Sequence, residues 1–76
     1  MWIDGFIIEV YETWPLQLSV DASGELYHVG LLLETKITHQ GSPVSASEVK
    51  AHRRIRINGT ASGQRALIAE SIELLS

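Results

Sequence analysis

The stretch from Ala51 to Leu75 (AHRRIRINGTASGQRALIAESIELL) constrains the fold more than any other. Arg54 to Asn58 alternates polar and apolar residues. That period of two sets Ile55 and Ile57 on one face of a strand and the arginines on the other. Gly59-Thr60-Ala61-Ser62-Gly63 is rich in turn-forming residues and reads as the turn of a hairpin. Arg65 to Leu74 resumes an extended pattern, with Leu67, Ala69 and Ile72 facing inward. The step from Ala69 to Ile72 is three residues, which requires a bulge near Glu70-Ser71. The rival is a helix from Gln64 to Leu75, because Ala, Leu, Glu and Gln are good helix formers.

The earlier segments supply strands to pair with this hairpin. Trp2 to Glu12 contains the β-prone run Phe6, Ile7, Ile8, Val10 and Tyr11, with Gly5 where a backbone can approach closely. Glu12-Thr13-Trp14-Pro15 is a turn, since Pro15 has no N–H and pushes Trp14 toward extended backbone. Leu16, Leu18 and Val20 alternate with polar residues and form a half-buried strand. Asp21-Ala22-Ser23-Gly24 is a turn in which Asp bonds local backbone. Glu25 to Ile37 is a third strand, apolar on both faces around Leu31 to Leu33, with Gly30 where a barrel strand can bend. Residues 38–44 read as a loop. Ser45-Ala46-Ser47-Glu48 fits a capping box, with Ser45 as N-cap and Glu48 reaching back, and predicts a short helical turn from Ala46 to about Ala51.

Five extended segments with a helical turn between the third and fourth make an all-β chain. Closure into a barrel removes exposed sheet edges, and this order is that of a small five-stranded OB-fold-like barrel. Residues 1–76 make one domain. On those residues the chain resembles a small bacterial OB-fold-like domain of unknown function. The resemblance rests on Gly5-Phe6-Ile7, Leu16 to Val20, Thr35-Lys36-Ile37-Thr38, Ile55-Arg56-Ile57-Asn58-Gly59 and Ala69-Glu70-Ser71-Ile72. Val49-Lys50-Ala51-His52 replaces the usual lead-in of Leu followed by Gly-Asp or Gly-Glu. The resemblance implies no catalytic residues.

Composition narrows the function. Nine acidic residues against six basic ones give a formal charge of -3, which argues against a dedicated non-specific nucleic-acid binder. There is no cysteine, so neither a disulfide nor a thiolate metal site is available. No basic leader with an apolar run opens the chain, and no run approaches the roughly 20 apolar residues that span a bilayer. The expectation is a cytoplasmic protein that does not enter membranes. A small domain without such staples gains from self-association, so a homo-oligomer is expected to be within reach.

Five residues are the candidates for a binding site: Trp14, Tyr27, Arg53, Arg54 and Arg56. With Lys50 and His52, the arginines form the densest charge cluster. Beside an exposed ring they would hold a single-stranded nucleic acid, phosphates on arginines and bases on aromatics. Against this stands a solvated strand face whose arginines meet Glu9, Glu12, Glu70 or Glu73. Trp14 is either an anchor for a protein partner or a plug at one barrel end, the plug being the better fit. His28, His39 and His52 show no metal-ligand spacing. Gly59 to Gly63 misses the nucleophile-elbow spacing by one position, and no phosphate-binding glycine loop is present. Glu70 and Glu73, three apart on a strand, read as solvated. The Asn58-Gly59-Thr60 sequon reads as part of a hairpin turn. No catalytic, metal or cofactor site is expected. The reading is a non-enzymatic OB-like module for protein interaction or assembly, with single-stranded nucleic-acid binding as the alternative.

Overall fold

A computed structural model describes residues 1–75. The strands are β1 (Trp2–Tyr11), β2 (Gln17–Ala22), β3 (Glu25–His39), β4 (Ser42–Pro43), β5 (Arg54–Gly63) and β6 (Ala66–Leu74). A 3-10 helix, Ala46–Glu48, lies between β4 and β5. The sheet runs β2-β1-β5-β6-β3-β4, and β2 also pairs with β3. That last pairing closes β1, β2, β3, β5 and β6 into a barrel, with β4 as a short extra strand. Every neighbouring pair is antiparallel except β3 with β6, which is parallel. The expected five-stranded OB-like order is the order observed. Among the described residues no helix is long and apolar enough to cross a membrane.

Alternation drives the closure. Ile3, Ile7, Leu18, Val20, Val29, Ile55, Ile57, Leu67, Ala69, Ile72 and Leu74 point inward and are buried. Each fully buried Leu, Ile or Val contributes about 2 kcal/mol of transfer free energy. Bulges supply the curvature that a barrel needs. On β6, Ser71 pairs with Asn58 and Ala69 with Gly59, so Glu70 is the extra residue. The bulge expected near Glu70-Ser71 is there, and the segment is a strand, not the rival helix. On β1, Ile8 is the extra residue between Ile7 and Glu9.

Gly5 and Gly59 mark two tight approaches. A Cβ at Gly5 would sit 2.2 Å from the Asp21 carbonyl oxygen, and one at Gly59 would sit 2.5 Å from that of Ile68. Gly59 is therefore a strand glycine and does not make the turn. The hairpin turn lies later, at Gln64-Arg65, and Gly63 pairs with Ala66 across it. Asn58-Gly59-Thr60 accordingly lies inside β5 and not in a turn. Residues 38–44 are more ordered than a loop. β3 runs on to His39, and Gln40-Gly41, both at positive φ, turns the chain into β4.

Ser45 is the N-cap, as expected, and its Oγ accepts from the Ser47 N–H at 3.3 Å. The turn stops at Glu48 and does not run on to Ala51. Glu48 turns to Arg53, whose Nη1 lies 3.7 Å from its carboxylate. Asp21 behaves as its turn signal predicts: its Oδ1 accepts from the Gly24 N–H at 3.1 Å.

Candidate functional site at the Trp14 end of the barrel

β1 and β2 are joined by a loop that carries Trp14 and the cis Trp14-Pro15 bond. Thr13 Oγ1 donates to the Pro15 carbonyl at 2.8 Å and closes the loop on itself. Trp14 does not plug the barrel. It is 76% exposed. The ring stands between two clefts. One, about 600 Å³, is lined by Val10, Glu12, Trp14, Leu16, Val49 and Lys50 among others. The other, about 240 Å³, lies between Trp14-Pro15-Leu16 and Leu31-Leu32-Leu33, with Ile37 and Val44. Leu16, Trp14 and Ala46 border both clefts.

The wall formed by Leu32 and Leu33 was not legible as such in the sequence. Leu31 pairs with Ala69 and Lys36 with Ser71, so five steps of β3 span two steps of β6. The residues between must loop out. Leu31 stays buried, whereas Leu33 is 69% exposed. Thr35 pins the loop: its Oγ1 donates to the Ala69 carbonyl and accepts from the Leu32 N–H, both at 2.7 Å. The apolar run therefore turns outward after Leu31. It projects two leucines beside Trp14.

The other candidates lie elsewhere. Tyr27 is half-buried and packs against the core, opposite Val20. Arg53 hydrogen-bonds the Glu48 carbonyl and pairs with its carboxylate. Arg54 and Arg56 share the outer face of β5 beside β1. Arg54 lies 5.8 Å from the Phe6 ring centroid. Arg56 grips Asp4 with two bonds, Nε to Oδ1 at 3.0 Å and Nη2 to Oδ2 at 3.3 Å, and Glu73 lies 3.7 Å away. The Arg56 hydrogen bond holds the Asp4 carboxyl below its ordinary range, and Asp4 raises Arg56 in return. Of the carboxylates expected to meet the arginines, Glu73 does so; Asp4 reaches Arg56 through the β1–β5 register, and Glu48 reaches Arg53 locally, from the 3-10 turn five residues earlier. Glu70 instead accepts from Thr60 at 2.8 Å.

No arginine lines either cleft at Trp14. In an OB barrel the outer face of strands 2 and 3 binds ligand. Over the paired stretch here, that face carries Gln17, Ser19, Asp21, Leu26 and His28, with His28 Nε2 bonded to Gln17 at 2.8 Å and Tyr11 Oη to Ser19 at 3.0 Å. It presents no lysine or arginine. Compared with known proteins, the chain matches no family model, no curated sequence and no solved structure.

Proposed function

We propose that this protein is a small non-enzymatic interaction module that takes an apolar segment of a partner protein at the Trp14 end of its barrel. One observation carries the reading: an exposed tryptophan between two clefts walled largely by apolar side chains, with exposed leucines on the far wall of the smaller one. An exposed ring flanked by clefts with apolar side chains in their walls is the geometry of an interface anchor, because a partner's bulky apolar side chains would seat there and displace water. Glu12 and Lys50 lie at the rim and would orient the segment without dominating its affinity. The charge balance supports the same reading. Arg53 and Arg56 already face carboxylates, which weakens them as phosphate ligands. A resemblance to small bacterial OB-fold-like domains is in keeping with a binding role, and the cytoplasm is the compartment we assign.

Selection of displayed random peptides on the folded chain tests this. The peptides retained are expected to carry one or two bulky apolar residues. Trp14→Ala should weaken them about 30-fold or more, a hot-spot loss. Its folding stability should stay within about 0.5 kcal/mol of the parent, because the side chain is solvated. Peptides that bind Trp14→Ala as well as the parent would overturn the site. Labelled single-stranded nucleic acid provides the second arm. Tight binding that weakens steeply with salt would favour the phosphate-driven alternative.

A further inference from the structure

Away from Trp14, the outer face of β1 presents an exposed apolar stripe: Trp2 (64% exposed), Phe6 (49%) and Ile8 (46%). Strand pairing decides what flanks it. On the β5 side Phe6 lies opposite Arg54, and on the β2 side it lies opposite Asp21. Asp21 in turn faces Leu26 of β3, which is also exposed. The row through Phe6 thus reads cation, ring, anion, aliphatic. Arg54, Phe6 and Asp21 line one shallow cleft of about 290 Å³, which shows that they share a surface.

The charges on the two sides of the stripe are opposite in sign. Neighbouring strands are about 4.8 Å apart, so Arg54 and Asp21 flank Phe6 at similar distances. A twofold axis laid along β1 turns the Arg54 side of one copy onto the Asp21 side of another. It also sets each apolar residue of the stripe against its own counterpart. A closed twofold contact requires this kind of self-complementary patch. Asp4, the carboxylate within the stripe, stays exposed, and Arg56 of its own chain binds it with two hydrogen bonds, which offsets its charge where the two copies' Asp4 residues approach.

We propose that this face is a homodimer seam, in which Trp2 and Phe6 of two copies meet along β1 and Arg54 of each copy pairs with Asp21 of the other. A nucleic acid suits the face poorly, since Asp4, Asp21 and Glu73 would repel phosphate. An unrelated protein would not need the antisymmetry. The seam shares no cleft with Trp14, so either proposal stands if the other fails.

Sedimentation velocity on the full chain over a wide concentration series tests the seam. The parent chain should self-associate reversibly. Arg54→Asp and Asp21→Arg should each weaken the dimer about tenfold or more, because like charges then face each other. Mixed in equal amounts, the two variants should form a heterodimer, since each restores the other's missing sign. The double variant should again form a homodimer. Asp21 also accepts from the Gly24 N–H, so circular dichroism must show that Asp21→Arg folds. If it does not, Arg54→Glu and Phe6→Ser decide the matter, and both should weaken association about tenfold or more. A parent chain that stays monomeric throughout overturns the seam. So do folded variants that dimerise like the parent, or a mixture of folded single variants that fails to associate.

Discussion

Two glycines that look alike in the sequence have opposite consequences in the barrel. Gly59 lies against the Ile68 carbonyl, and a methyl group there must displace backbone. Gly30 would meet only Ile68 Cδ1, at 3.5 Å, which is ordinary contact. Gly59→Ala should therefore destabilise by about 2–3 kcal/mol, in the range of overpacked cores. Gly30→Ala should be neutral or slightly stabilising, because it restricts the unfolded chain. Urea unfolding of the two variants against the parent checks both. Asp4 carries the clearest pH dependence. Its carboxyl is held below the ordinary value of about 3.9 by Arg56. A depressed folded pKa contributes stability that is present above the unfolded value and is lost as pH falls through the folded one. Asp4→Asn should remove that part of the acid limb and leave the remaining pH profile in place, measured by unfolding midpoints below pH 5. The effect will be small, because the pair is solvent-exposed. None of this pairing was legible from spacing. Asp4 and Arg56 are 52 residues apart, and only the β1–β5 register brings them together.

At the scale of elements, alternation was a good guide and turn composition a poorer one. Ile55, Ile57, Leu67, Ala69 and Ile72 point where period two says they should. The Glu70 bulge followed from a single break in that period. The hairpin turn, however, was misplaced by about four residues. Gly59 to Gly63 has the composition of a turn, but its first glycine is spent on a close backbone approach. The loop at 32–35 left no mark, because a run of three leucines reads the same whether it is buried or thrown outward. Its geometry depends on one hydroxyl. Thr35→Val keeps the shape and loses two hydrogen bonds, so it should cost about 1–3 kcal/mol. Thr35→Ser should retain most of the stability. Unfolding midpoints of the two variants, with peptide binding at the Trp14 cleft as a second readout, check this. A loop that no longer holds Leu33 beside Trp14 should bind more weakly.

For the molecule as a whole, local patterns specified the parts and closure assembled them. Five β-prone segments, one short capped turn and no staples left few solutions other than a small barrel. The sequence by itself therefore determined the strands, their inward faces and the need for at least one bulge, since these follow from local sterics and the two-residue period. Only the tertiary structure decided which outward residues become neighbours. It seated Arg54 against the Phe6 ring, paired Arg56 with Asp4, and left Trp14 in solvent beside two projecting leucines. Such neighbourhoods depend on register between strands far apart in the chain, including the parallel pairing of β3 with β6. A shift of one residue would turn every side chain to the other face. That dependence on long-range register is why the barrel could be read from composition and pattern while both proposed interaction surfaces could not.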